Sequence, residues 1–428
     1  MEFLERPVWG EGVVFPPAAQ DRPLPERVDA AVIGGGITGL SAALALARRG
    51  VSVAVLEARH FGWGAAARNG GMVLSGLKLG AGELLAKYGR ERARRMFAAS
   101  LAAIDTVERL VAEEAIDCDF ARCGHVVLAS KPAHAEGLAR EAETLAREFG
   151  HVTRVVPRAE LRDEIGSDAY YGGLVDEASG GLNPARYVAG LAYAAERAGA
   201  QLIGGTPVQQ IERDGASFRL HTGRGAVRAE AVLAATAGYT GAATPALRRR
   251  VVPVGSYIIA TEPLPDALAR ELSPRGRMLF DTKHFLHYFR LTPDQRLLFG
   301  GRAGFVPETP ASVRESAAIL RRDMLAVFPQ LRDVRIAYAW GGTLDFTFDM
   351  MPHAGVLDGV HYALGYAGHG VALATYLGTC VGAQMAGAAC EHAFDGLPLP
   401  EAPLGLYRGD PWFLPLAGAW YRLLDWVS

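Results

Sequence analysis

The stretch VDAAVIGGGITGLSAALALARRGVSVAVLE, residues 28–57, decides the fold. VDAAVIG (28–34) is short and almost wholly apolar, the pattern of a strand buried on both faces. ITGLSAALALARRG (37–50) turns to a helical run, and Gly50 supplies its stop. VSVAVLE (51–57) repeats the buried-strand pattern. Strand, helix and strand at this length make one βαβ unit. Gly34-x-Gly36-x-x-Gly39 falls at the strand-to-helix turn. There the glycines permit a tight turn, close approach of a pyrophosphate and close packing of helix on strand. The phosphates would meet the free N–H groups of the helix that begins near Ile37 and Thr38. Glu57 closes the second strand, 18 positions after Gly39, near the spacing of an acid that binds a ribose hydroxyl. Ala58 and Arg59 follow it on the same rim. A glycine turn that binds nothing is the plain alternative for the six-residue motif alone. The strand before it, the helix after it and the acid together outweigh that alternative. An acid at 57 fits NAD and FAD equally.

The 428 residues are too many for one ordinary core and suit two domains. Half are apolar and 21% charged, as in ordinary globular chains. A net charge of −2 provides no bulk field for nucleic acid or anionic lipid. The four cysteines (118, 123, 380 and 390) form no CxxC pair and have no histidine cluster beside them. They are expected to be reduced thiols, with neither a disulfide framework nor a metal site. MEFLERPVWGEG lacks the basic and apolar regions of a signal peptide, and no apolar stretch is long enough to span a bilayer. A cytoplasmic protein without a transmembrane segment is the expectation.

Residues 1–27, rich in proline, read as an irregular arm. Helices are expected at 81–115, 131–149, 184–199 and 311–327, with strands at 124–130 and 229–239. The stretch 251–305 alternates as antiparallel strands do. Residues 360–390 return to strand, Gly-rich loop and helix. The expected fold is α/β, a Rossmann-type dinucleotide domain with an interleaved antiparallel-sheet substrate domain. The dinucleotide domain takes 28–80, 151–250 and 336–395; the substrate domain takes 81–150 and 251–335; 396–428 is a tail. In the tail Trp420, Leu423, Leu424 and Val427 fall at helical spacing, and docking on the protein's own body is expected over a membrane surface.

GAAARNGGMVLSG (64–76) resembles the G-A/S-S-x-R-N-G-G segment of the glycine oxidase/D-amino acid oxidase-type family of FAD enzymes. In that family the loop passes the pyrophosphate and reaches the isoalloxazine. The resemblance makes Ala67, Arg68, Asn69, Gly70 and Gly71 cofactor-binding candidates, although alanine stands where the family has serine. VLAATAGYT (232–240) resembles the segment returning under the cofactor and adds Ala237 and Gly238. TPVQQIE (206–212) resembles the strand whose Val208 brackets the adenine. YALGYAGHGVALATYLG (362–378) resembles the late strand–loop–helix and adds Gly368, His369, Gly370 and Val371. WGGTLDFTFDMMPHAG (340–355), YFRLTPDQRLLFGG (288–301) and PWFLPLAGAWYRLLDW (411–426) are similar to the gamma-glutamylputrescine oxidase-like branch and add Gly342. A helix N-terminus at the flavin N1/C2=O edge would stabilise the charge of reduced flavin.

The resemblance implies FAD-dependent oxidation of a C–N bond of a gamma-glutamylputrescine or polyamine-like amine. The expected course is hydride transfer to flavin N5, imine hydrolysis and reoxidation by oxygen or another acceptor. Amino-acid-oxidising members place a carboxylate-gripping arginine in the 340–355 segment, where this chain has Leu344; Arg290 and Arg302 are the candidate substitutes. Some sarcosine-oxidising relatives attach FAD through a cysteine near the 340–350 segment; no cysteine lies between 124 and 379 here, so the resemblance implies non-covalent FAD. Candidate catalytic residues are Tyr257, His287, Tyr288, Arg302 and Trp340, with His287 as proton acceptor or the aromatics as a cation cage. Core or sheet-surface roles are the plain alternative for the aromatics, and turn roles for Asp345 and Asp349. Oxidation of an N-methyl amine, imino acid or D-amino acid is the second reading, and a non-catalytic flavin subunit of a larger complex the third.

Overall fold

The computed structural model describes residues 2–17, 23–301 and 309–427, with side chains to Trp420 except at 404. β1 (Arg27–Ile33), α1 (Ile37–Ala47) and β2 (Val53–Leu56) form the βαβ unit, with the two strands parallel. All of α1 is buried, which is why its sequence has no polar stripe. A two-residue strand, β3 (Met72–Val73), leads into the long helix α2 (Ala81–Glu113), kinked at Gly89, whose φ is +74°. Next come β4 (His125–Leu128), α3 (Pro132–Thr144), β5 (Arg154–Pro157), β6 (Gly172–Asp176) and β7 (Gly180–Gly181). α4 (Pro184–Arg197) starts at Pro184 and is capped by Asn183, whose side chain accepts from the Ala185 and Arg186 amides. β8 (Gln201–Ile203), β9 (Val208–Asp214), β10 (Ser217–Thr222), β11 (Gly225–Ala234) and the short α5 (Pro245–Arg248) complete that half.

The alternating region gives β12 (Val252–Thr261), α6 (Asp266–Leu272), β13 (Met278–Asp281), β14 (His287–Leu291) and β15 (Leu297–Gly301). α7 (Pro310–Val327) and β16 (Ile336–Phe346) follow. β17 (His353–Leu357), β18 (Val360–Leu364), α8 (Gly370–Met385) and α9 (Leu414–Val427) end the chain.

Two sheets organise these elements. The first runs β17-β18-β11-β1-β2-β8, with the β9–β10 hairpin attached to β11. Its strands from β18 to β8 are parallel, and α1, α2, α4 and α8 share its main core. The second runs β16-β12-β15-β14-β13-β4-β6-β5. Its far face packs on α6 and α7.

The pairing moves several segments across the expected division. β5 and β6, expected with the dinucleotide sheet, lie in the second sheet, β6 pairing with β4 and β5 with β6. β16 pairs along its whole length with β12. α2, expected with the substrate domain, buries Leu84, Met96, Ile104 and Val107 in the first core. Periodicity reports which face of an element is buried, not which partner buries it.

The arm lies on the body as expected: Leu4 bridges beside Tyr338, and Trp9 is buried. The expectation of four reduced thiols is overturned, because Cys380 and Cys390 are joined. The chain turns back after α8 and brings their Cα atoms to 5.3 Å, a proximity that linear spacing does not reveal. Cys118 and Cys123 are free. α9 docks through Leu414 against Val252, Val254 and Phe346, while Leu416 and Trp420 are exposed. The side chains of Leu423, Leu424 and Val427 lie outside the described residues. No described helix is long and apolar enough to cross a membrane.

Candidate active site

Two helix N-termini open onto one cavity of about 1010 Å³, lined by Gly34–Thr38 at one place and Gly368–Val371 at another. Gly34 has φ +107°, and a Cβ there would lie 2.7 Å from the Ala235 carbonyl oxygen. A Cβ on Gly39 would lie 2.0 Å from the Gly34 oxygen, so this glycine sets the helix-to-strand packing rather than touching the cavity. Neither α1 nor α8 has a side-chain cap or an acid in its first turn. Their leading amides are thus left for an anion or an electron-rich ring edge.

α8 runs beside α1 in the same direction. Gly378 meets Thr38 and Gly382 meets Ala42, where added Cβ atoms would stand 2.4 and 2.5 Å from backbone oxygens. Because Gly378 is eight residues beyond Gly370, α8 projects roughly 10 Å past the start of α1. One N-terminus therefore suits a pyrophosphate and the other a ring farther along a dinucleotide. A buried hydrogen bond of 2.8 Å between Thr38 Oγ1 and the Tyr366 hydroxyl locks the two loops together.

At the near end, the Glu57 carboxylate accepts from the Gly35 amide at 2.7 Å and the Arg59 amide at 2.9 Å. Ala58, Arg59 and Val208 line the same end. Arg68, Asn69 and Gly70 line the far end, with Ala237 and Gly342. Asn69 is turned into its own loop: its amide donates to Ala65 and Ala66 oxygens and accepts from Gly71 N. The Trp9 and Trp340 indoles donate to the Asn69 and Arg68 oxygens, each at 2.8 Å. Ala67, Gly71 and Gly238 lie behind the lining. A Cβ on Gly71 would stand 2.1 Å from Leu182 O, and one on Gly238 2.8 Å from Leu344 O.

Strand alternation sorts the catalytic candidates. On β14, Tyr288 faces the cavity, its ring lying over Gly300, where a Cβ would meet it at 2.3 Å. Its hydroxyl is 3.2 Å from Ser256 Oγ. His287, one residue earlier, points to the opposite face and bonds Asp281 at 3.1 Å and Asp323 of α7 at 3.3 Å. Tyr257 likewise reaches α7, donating to Ser312 at 3.0 Å. Trp340 buttresses the 64–71 loop in the cluster with Val8 and Trp9. Tyr257, His287 and Trp340 thus do not meet the cavity, and Arg302 lies outside the described residues.

Charges near the ring end are tied down. The Arg290 guanidinium donates to the Gly71 and Leu182 oxygens and lies over the Trp9 ring. Burial lowers its pKa to about 10. Arg68 donates to Gly341 O and stacks on Trp63. Asp345 accepts from Gly365 N at 2.5 Å, and its own carbonyl accepts from Ala367 N, so it braces the loop before α8. Burial raises its carboxyl to about 6 despite those amides. Asp349 fills a turn with Met351 N and His353.

Several cavity residues escaped the sequence reading: Trp63, Ser75, His125, Asp176, Ser256 and Phe280. His125, Asp176, Ser256 and Phe280 come from β4, β6, β12 and β13, and Trp63 and Ser75 from the loops around β3; their adjacency arises only through long-range pairing. Apart from Ser75, at the end of the 64–76 segment, no local motif marks them.

The profile of the FAD dependent oxidoreductase (DAO) family matches residues 29–384. The chain is 35% identical over 394 residues to a probable oxidoreductase OrdL of Haemophilus influenzae, covering 90% of this chain and 89% of that protein. It is 33% identical over 400 residues to the gamma-glutamylputrescine oxidoreductase of Escherichia coli, covering 93% and 92%. The crystal structure of glycine oxidase from Geobacillus kaustophilus superimposes with a TM-score of 0.73 at 23% identity, covering 88% of this chain and 99% of that one. With the uncapped helix pair, the glycine turn and these likenesses together, the chain belongs to the DAO family of FAD-dependent oxidoreductases.

Proposed function

We propose that the chain holds FAD non-covalently along α1 and α8 and uses it to oxidise a C–N bond of an amine, of the gamma-glutamylputrescine or polyamine-like kind. The observation carrying this reading is the apolar wall at the reacting end. Leu344 and Ile258 line it at two places, four residues apart in the register of β12 and β16, and the arginines beside the 64–71 loop, Arg290 and Arg68, are already bonded to backbone oxygens. An α-carboxylate placed there would have no bidentate partner among these groups.

FAD, when bound, supplies the two-electron acceptor. The rest falls to the chain. The first-turn amides of α8 favour negative charge at the ring edge. Tyr288 and Ser256 present hydroxyls that orient the substrate nitrogen. Leu344 and Ile258 exclude water and favour the neutral amine, since burial disfavours the ammonium form. His287 takes no part, being on the other face of the sheet.

The test is a panel of polyamines, gamma-glutamylated amines, sarcosine and α-amino acids, added without oxygen to the FAD-loaded protein. Amines lacking an α-carboxylate are expected to bleach the visible flavin band. Bleaching by α-amino acids alone would overturn the reading from Leu344. Readmitting air and assaying peroxide then decides whether oxygen is the acceptor.

A further inference from the structure

The cavity extends past Tyr288 to a polar end. Tyr288 stands on β14 and His125 on β4, with β13 between them. Two strand spacings put this end about 10 Å to the side of the ring-facing wall. Ser75, His125, Asp176 and Phe280 line it, and the His125 ring stacks on Phe280 at 5.2 Å.

Hydrogen atoms can be assigned along a chain here. Ser75 Oγ donates to Asp176 Oδ2 at 2.6 Å. Its only hydrogen is then used, so Ser179 Oγ, 3.2 Å away, donates to it. In the arrangement that makes all three bonds the Ser179 hydrogen is used here, and His125 Nδ1, 2.7 Å from Ser179, carries the proton between them. Burial keeps this imidazole neutral, lowering its pKa to about 4 against the pull of Asp176. Nε2 is therefore a hydrogen-bond acceptor. Burial works against the Asp176 charge, but hydrogen bonds from His151, Ser75 and the Ala178 amide favour it and hold the carboxyl below the ordinary carboxylate range. Three of about four acceptor positions on this carboxylate are filled.

Both groups therefore accept hydrogen bonds, and one is charged. The other carboxylates of this end are Glu83 and Glu141, which accept from the Gly80 and Ala81 amides, and Asp281. The lysines are Lys78 and Lys283, the latter 3.6 Å from Asp281. Acids outnumber the lysines.

We propose that this end binds an ammonium at the far end of the substrate, with Asp176 as its charge partner and His125 Nε2 as a hydrogen-bond acceptor. Substrates then carry a second nitrogen several bonds from the one oxidised. The assignment rests on the amine-oxidation reading, and its test separates the two. Oxidised FAD-loaded protein is titrated by calorimetry with a redox-inert alkyl monoamidine and with the bis-amidine of equal chain length. The bis-amidine is expected to bind about tenfold or more tightly than the monoamidine. Asp176→Asn collapses that ratio, and Ser75→Ala, which leaves the carboxylate in place but breaks the chain, reduces it. Melting temperature and flavin spectrum check that both variants fold. Equal binding of the two probes, or an undiminished ratio in a folded Asp176→Asn protein, overturns the subsite. A bis-amidine preference abolished by Asp176→Asn in a protein whose flavin no amine bleaches would sink the oxidation reading and leave the subsite standing.

Discussion

Asp345 and His287 show how single residues couple this architecture to pH. The native Asp345 carboxyl titrates at about 6, above its ordinary 3.8, because burial outweighs the amide hydrogen bonds it accepts. A raised acid favours the protonated native state, so its ionisation lowers stability as pH rises from about 4 to about 6. The loss is on the order of 3 kcal/mol and constant above that window. Melting curves across pH 4–7 should show a smaller decline for Asp345→Asn, whose amide oxygen can still accept from Gly365; identical slopes would refute the assignment. His287 has the opposite sign. Burial depresses its pKa, but the hydrogen bonds it donates to Asp281 and Asp323 reverse this and raise it above 6.5. Its contribution is complete below 6.5 and is lost as pH rises through the native value. His287→Gln should be destabilised most at acidic pH and converge on wild type in alkali.

At the scale of elements, the βαβ unit and the late helix were legible because their signals are local. Gly34, Gly36 and Gly39 lie within one turn, and Glu57 lies one helix away. What local pattern did not disclose was the contact between α1 and α8, over 300 positions apart in the chain. That contact depends on Gly378 and Gly382, which the sequence presents only as small residues in an apolar helix. A methyl at 378 would stand 2.4 Å from the Thr38 oxygen, a backbone atom that cannot swing aside. Gly378→Ala is therefore expected to cost about 1–3 kcal/mol and to weaken FAD binding, read by melting temperature and FAD titration. Unchanged FAD affinity would mean that helix spacing does not set the site. The catalytic candidates could not be sorted at this scale either. Alternation along β12 and β14 fixes that neighbours face opposite ways, but not which parity faces the ligand. Tyr288 and Tyr257 could be told apart only once α7 was known to cover one face.

Across the whole molecule, the wall of the cavity is assembled from segments that the linear domain division kept apart. Trp9 of the arm and Trp340 of β16 hold the 64–71 loop from behind. Ser75 precedes α2 and Asp176 ends β6, and the two meet across the chain between them. Apart from Ser75, such residues carry no motif, because their chemistry resides in partners about 100 positions away. The bond between Cys380 and Cys390 was hidden for the same reason on a shorter scale. The family and the cofactor loop could thus be read along the chain, whereas the substrate end required the sheet order.

The most direct measurement titrates FAD into apoprotein and then denatures the loaded complex. One FAD is expected to bind per chain and to be recovered free in the supernatant after denaturation, with no comparable binding by NAD. A protein that remains colourless with excess FAD would contradict the central claim that α1 and α8 together cradle a flavin dinucleotide.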